Sequence, residues 1–197
     1  HAHARGAACH CVTRTELTYA LAALADVGVL AGDRIEHAGI APPELVATMA
    51  ELGVLVVTQP NFIAERGDAY LRDVAVDERP WLYRLHGLQV AGVALAGSSD
   101  APFGRADPWL AMQAAVERQT PRGDILGAAE RLSPESAFAL FTGPLHAPAQ
   151  FAPPLAIGQH ADLCLLDAPW QAVRSALGGA HVRATWRAGV PIWSTAD

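Results

Sequence analysis

The chain has 197 residues, 51% of them hydrophobic and 17% charged, with a formal net charge of −6. That apolar content suffices for one sizeable core, and the acidic balance excludes the basic face on which nucleic-acid binders depend. No run of about 18 uncharged apolar residues occurs, so no membrane span is expected.

The chain opens on His1-Ala2-His3-Ala4-Arg5, with neither an initiator Met nor the basic-then-apolar order of a signal peptide, as expected of a piece cut from something longer. Cys9, Cys11 and Cys164 are an odd set without framework spacing, which predicts free, buried thiols in a reducing, cytoplasmic compartment. A Cys-x-Cys zinc site would need a second cysteine pair, and the sequence has none.

Residues 7–12, Ala-Ala-Cys-His-Cys-Val, form a short apolar run that reads as a buried strand. Thr15 stands as an N-cap, and Leu17, Ala20, Leu21, Leu24 and Val27 recur at helical spacing until Gly28 and Gly32. Residues 33–38 read as a second strand. Pro42 and Pro43 then open a helix whose Leu45, Val46, Met49 and Leu52 share one face, closed by Gly53. Residues 54–58, Val-Leu-Val-Val-Thr, are continuously apolar up to Thr58, as a parallel strand covered on both faces should be. The polar stretch 61–79 is expected to be a long loop, a candidate lid or specificity segment with Arg66, Asp68, Arg72 and Arg79 on a solvated surface and Arg84 beside it. Residues 93–98 give a fourth strand, and Pro108 starts a helix through Val116. Strands alternating with helices predict an α/β fold with a parallel sheet.

From about Phe151 the texture changes. Pro153, Pro154 and Gly158 break the pattern, and residues 161–167 and 182–193 then read as strands. Val182, Ala184 and Trp186 alternate with Arg183, Thr185 and Arg187, which fits a half-solvated sheet. Ala188-Gly189-Val190 predicts a turn between paired strands.

Catalytic residues of α/β barrels stand at the C-terminal ends of strands. Three polar residues occupy that position here: His10 ends the first strand, His37 the second and Asp100 the fourth. Neutral imidazoles bind zinc, and a carboxylate both binds a metal and takes a proton from water. Singly, each has a structural explanation, because buried polar groups need partners and Asp before Ala-Pro is ordinary turn chemistry. Together, in order on successive elements, they make a candidate site. Gln59 and Asn61, at the end of the third strand, are candidates to line a substrate pocket. Glu36 alternates away from His37 and is expected to pair with Arg34. Trp81, Tyr83, Phe103 and Trp109 are expected to pack, while His86, His146, His160 and His181 have no ligand spacing.

Arg34-Ile35-Glu36-His37-Ala38, Val57-Thr58-Gln59-Pro60 and Gly97-Ser98-Ser99-Asp100-Ala101-Pro102 resemble the Arg-Ile-Glu-His, Gln-Pro and Gly-Ser-Asp-x-Pro motifs of the amidohydrolase superfamily. The resemblance is to the amidohydrolase family 3 branch that contains N-substituted formamide deformylases. Cys9-His10-Cys11 is similar to that branch's strand-five histidine, with Val12-Thr13-Arg14 where the family more often has Gly-Asp. Gly158-Gln159-His160-Ala161-Asp162-Leu163 resembles the Gly-x-x-Ala-Asp signature of the closing strands of the family's small β-sandwich.

The resemblance implies a (β/α)8 TIM barrel of metal-dependent hydrolase type, with strands five to eight in residues 1–150 and strands of the β-sandwich in residues 151–197. It implies hydrolysis of a non-peptide C–N bond of a small amide or cyclic amide. One or two Zn2+ ions would be held by His10, His37 and Asp100 in the intact enzyme, with Asp100 as general base and then acid. The His-x-His pair of the first strand would lie in a missing N-terminal half; His1 and His3 lack its strand context and are not expected to be ligands. Expected partners are a small-molecule substrate and either that missing half or a self-association partner, with no nucleic acid and no membrane. The alternative is a catalytically silent fragment or a structural or binding subunit of a larger amidohydrolase-like protein.

Overall fold

The computed structural model describes residues 3, 5–144, 146–150 and 155–195. Strands and helices alternate through its first part: β1 (Ala8–Cys11), α1 (Arg14–Val27), β2 (Arg34–His37), α2 (Pro43–Leu52), β3 (Leu55–Thr58), α3 (Asn61–Asp73), α4 (His86–Val90), β4 (Leu95–Gly97), α5 (Pro108–Glu117) and α6 (Pro134–Ala139). The strands form one four-stranded sheet in the order β1-β2-β3-β4, every neighbour parallel. Each strand therefore returns through a crossover, and all four C-terminal ends open on the same edge. The expected α/β organisation with a parallel sheet is what the chain adopts.

Leu17, Leu21 and Leu24 of α1 and Val46 and Met49 of α2 are buried against Ile35 and Val56 of the sheet. This row is the one that helical spacing marks in the sequence. The cap of α1 is Thr13, two residues before the expected Thr15. Its hydroxyl accepts from the Glu16 backbone N–H, and Glu16 reaches back to the Thr13 backbone in a reciprocal box.

Residues 61–79 differ from expectation. They are not a loop: α3 occupies most of the stretch, and a 3-10 turn, Arg79–Trp81, follows. Phe62, Ile63 and Gly67 are buried, with Tyr70 and Leu71 packed beside them, so an apolar stripe at helical spacing lies under the charged face. Gly67 is where α3 meets the residues just after α5; a Cβ there would lie 2.6 Å from Thr120 Cγ2. Two of the arginines also leave the expected solvated surface. Arg84 Nε lies 2.8 Å from a buried Glu130 carboxylate, and Arg66 lies over the Phe103 ring, 3.8 Å from its centroid.

Beyond the parallel sheet, Met112, Ala115, Leu132, Ala137 and Leu140 form a second core, to which Val173 and Leu177 contribute. The C-terminal part thus packs on α5 and α6. It comprises β5 (Leu163–Leu166), α7 (Trp170–Val173), β6 (Val182–Arg187) and β7 (Val190–Ser194), the strands forming an antiparallel sheet in the order β5-β6-β7. The predicted turn joins β6 to β7 through Ala188 and Gly189, whose φ values of 50° and 78° are the paired left-handed steps that suit a tight hairpin. Asp162 Oδ1 accepts from Ala188 N at 2.7 Å and so caps the turn. Cys164 is exposed on β5, contrary to the expected buried thiol; Leu166 is the β5 residue that packs against the second core.

Candidate active site

The site is built where the four parallel strands end. Register pairs Cys11 with His37 and His10 with Glu36, so an unbroken pleat would send the His10 and His37 side chains to opposite faces. The chain departs from that alternation at His37. Its φ is 74°, and Ala38 N donates to Glu36 O at 3.0 Å, closing a γ-turn centred on the histidine. Such left-handed steps cost about 1–3 kcal/mol for a residue with a Cβ and persist where surroundings over-determine them. Here Thr58 Oγ1, fully buried at the end of β3, donates to His37 O at 2.8 Å and fixes the step.

The two imidazoles consequently meet. His37 Nε2 and His10 Nδ1 are 3.0 Å apart, with the rings edge-on at a centroid distance of 4.5 Å. His10 is exposed, whereas His37 is only 5% exposed and lies over the ring of Phe62, 6.3 Å away and nearly parallel. His37 Nδ1 is 2.7 Å from Gln59 Oε1, and Gln59 Nε2 donates to Ser98 Oγ at 2.7 Å. A single polar chain, Ser98–Gln59–His37–His10, thereby links the ends of all four strands.

Gln59 is 1% exposed and spends its amide on protein partners, so it supports His37 from behind. Asn61 is also buried. Its Nδ2 donates to Ser99 O at 3.2 Å and to Glu65 Oε1 at 3.1 Å, so it holds the segment that carries Asp100. Arg105 N donates to the same Glu65 oxygen, and Arg66 Nη2 to Phe103 O at 2.8 Å, so the first two turns of α3 clasp the whole loop. Gly104 is required in that clasp, since a Cβ would lie 2.5 Å from Asn61 Nδ2. Phe103 itself is 63% exposed, yet its ring packs edge-on against Phe62 at 5.6 Å and beneath Arg66.

Asp100 is exposed on this loop with φ 54°, and its carbonyl accepts from Gly104 N at 3.0 Å. Nearby, burial pushes the Tyr83 hydroxyl far up from its ordinary range, and Tyr70 and Asp100 reinforce the shift. Tyr83 therefore stays protonated, and its buried ring touches Phe62 edge-on at 5.7 Å. Burial likewise pushes the Cys11 thiol up to about 11 and raises Cys9, so neither supplies a thiolate. His3 is exposed, and His1 lies outside the described residues.

The donor set suits part of a metal centre. Two imidazole nitrogens bonded to one tetrahedral zinc at 2.0–2.1 Å stand roughly 3.3 Å apart, close to the 3.0 Å seen between His10 and His37. His37, the buried one of the two, also has its second nitrogen engaged by a neighbour, as metal-bound histidines do. Among the described residues no group of three or more His, Cys, Asp or Glu side chains is arranged to hold an ion. His10 and His37 are brought together; Asp100 does not complete a triad with them. Ser98, Thr58 and Phe62 are the site residues that the sequence reading did not single out. Thr58 and Ser98 flank motif residues at strand ends, which was the available signal.

A parallel α/β sheet with two histidines meeting at its strand ends is the arrangement expected of an amidohydrolase-type fold. The family described as "Amidohydrolase family" matches residues 1–193, and the chain belongs to it, as its motifs indicated. It is 30% identical over 138 residues to N-substituted formamide deformylase of Arthrobacter pascens, covering 68% of this chain and 26% of that enzyme. The chain thus spans about a quarter of that curated relative's length. An uncharacterized metal-dependent hydrolase from Pyrococcus furiosus superposes with a TM-score of 0.61 at 30% identity, over 73% of this chain and 28% of its own. The fold extends further: N-isopropylammelide isopropylaminohydrolase from Burkholderia multivorans matches 96% of this chain and 47% of its own, with a TM-score of 0.61 at 23% identity.

Proposed function

We propose that this chain supplies strands five to eight of a metal-dependent amidohydrolase barrel in residues 1–150, and strands of its small β-sandwich in residues 151–197. The intact enzyme hydrolyses a non-peptide C–N bond of a small amide or cyclic amide. The observation that carries this reading is the meeting of His10 Nδ1 and His37 Nε2 at the strand ends, made possible by a strained backbone step. Family membership and the 30% identity to a formamide deformylase support the C–N bond as target.

His10 and His37 would hold a divalent ion, zinc being suited to imidazole donors, with the remaining ligands supplied by the rest of the barrel. When bound, the ion would act as a Lewis acid that polarises the scissile carbonyl and acidifies water. Asp100 accepts the proton of the attacking water on its carboxylate and returns it to the leaving nitrogen, which makes the amine a competent leaving group. Its exposure on a loop held by Asn61, Glu65 and Arg66 gives the carboxylate access to solvent and a fixed base. Gln59 and Thr58 orient His37, and Phe62 covers one face of its ring.

The test is a hydrolysis assay on N-substituted formamides and cyclic amides, using a polypeptide that carries this chain together with the rest of a barrel and loaded with zinc. Release of amine that disappears in His10→Ala and His37→Ala is expected. A second reading, a catalytically silent or binding subunit, draws on the pairing of only two converging ligands among the described residues. Stoichiometric zinc without hydrolysis across the panel would favour it.

A further inference from the structure

We propose that Gln59 is a positioning residue that locks His37 in its Nδ1–H tautomer, leaving Nε2 as a permanent lone-pair donor aimed at His10. The inference rests on reading His37 as a ligand, yet it concerns the protein before any ion arrives.

The geometry leaves little freedom. Amide oxygen and nitrogen are easily interchanged in an isolated glutamine, but here the carbonyl of Val57 decides between them. Val57 O can only accept, and it lies 3.3 Å from the Gln59 amide nitrogen. The nitrogen therefore points at Val57 O and Ser98 Oγ, and Oε1 faces His37 Nδ1 at 2.7 Å. An amide oxygen can only accept, so Nδ1 must carry the proton. In a neutral ring the other nitrogen then has none, and the 3.0 Å contact to His10 requires His10 Nδ1 to donate. At 1% exposure Gln59 has no water to compete for these bonds.

A neutral amide is a suitable partner for this task. A carboxylate would favour the imidazolium and so place a proton on the nitrogen that must stay bare. The amide enforces the tautomer without that charge, and Ser98 and Val57, on adjoining strand ends, enforce the amide. The consequence is asymmetric: His37 is ready to bind, whereas His10 must move a proton off Nδ1 before it can.

The test uses the 15N-labelled 197-residue chain, metal-free, at about pH 8, where histidine is ordinarily neutral. Long-range proton–nitrogen correlation spectra should show His37 Nδ1 protonated and Nε2 bare. In Gln59→Leu the Nε2–H form of His37 should appear, and zinc affinity should fall about 10–100-fold, as when outer partners of metal-bound histidines are lost. Gln59→Glu at the same pH supplies an acceptor again and should keep Nδ1 protonated, but its charge should favour the imidazolium and so protonate Nε2 as well. A wild-type spectrum with His37 Nε2 protonated overturns the proposal without any variant, so it stays open to refutation even if Gln59→Leu fails to fold. A folded Gln59→Leu with an unchanged tautomer also overturns it. The two readings fail separately: a tautomer that responds to Gln59, in a protein whose intact form keeps its full metal content in His37→Ala, removes the metal-site reading alone. Equal zinc affinity in wild type and Gln59→Leu removes this one alone.

Discussion

His37 carries three separate demands: a left-handed φ of 74°, a buried ring and two engaged ring nitrogens. Asp100 carries fewer, being exposed on its loop. Substitutions at the two should therefore fail differently. Asp100→Asn keeps the shape and removes the base; in the intact enzyme hydrolysis should fall by about 10²–10⁴-fold with metal content and melting temperature unchanged. His37→Ala should lower both metal content and activity, which elemental analysis beside the assay resolves. An Asp100→Asn enzyme that is fully metallated and turns over at the parental rate would leave Asp100 as a turn residue only. Thr58→Val, nearly isosteric, leaves His37 O without its buried donor and should destabilise the fold by about 1–3 kcal/mol in denaturant titration.

At the scale of elements, α1 offers a pH-dependent handle. Hydrogen bonds from the Thr13 backbone and then its hydroxyl hold the Glu16 carboxyl below its ordinary range. A depressed carboxylate contributes stability above its unfolded pKa, and that contribution is lost as pH falls through the lower folded value. The melting temperature of Glu16→Ala should therefore lie below wild type near neutrality, and the gap should close in acid. A constant gap across that range would show that the box contributes through shape alone. The Thr13-x-x-Glu16 spacing was legible in the sequence, but Thr15 lay nearer the first apolar helical residue and read as the cap. The helix α3 was illegible for a different reason. Its buried face rests on Phe62, Ile63 and Gly67 among charged residues, and a glycine contributes no hydrophobic signal, only room for Thr120.

For the molecule as a whole, the parallel sheet pairs β1 on one side with β2, and β4 on one side with β3, leaving an unpaired outer edge on each among the described residues. Open edges present unpaired N–H and C=O groups and recruit other strands. The isolated chain should accordingly self-associate in sedimentation experiments, and a cooperatively unfolding monomer would count against the half-barrel reading. With two converging histidines it should also bind zinc weakly. One chelator-resistant zinc per chain would show that another ligand completes the site.

Strand-helix alternation, the apolar faces of α1 and α2, and the placement of His10 and His37 at strand ends were determined by the sequence alone, because period and punctuation are local properties of the chain. The hydrogen bonds that Gln59 and Asn61 make were decided only by tertiary structure. Both stand at the end of β3, where sequence position makes a pocket-lining residue and a supporting residue look alike. What separates them is which neighbouring strand end comes within hydrogen-bonding distance: Ser98 and His37 for Gln59, Ser99 for Asn61. The meeting of the two histidines was likewise out of reach of spacing, since regular pleating sends them to opposite faces. A left-handed step at His37, stabilised from the adjacent strand by Thr58, reverses that outcome.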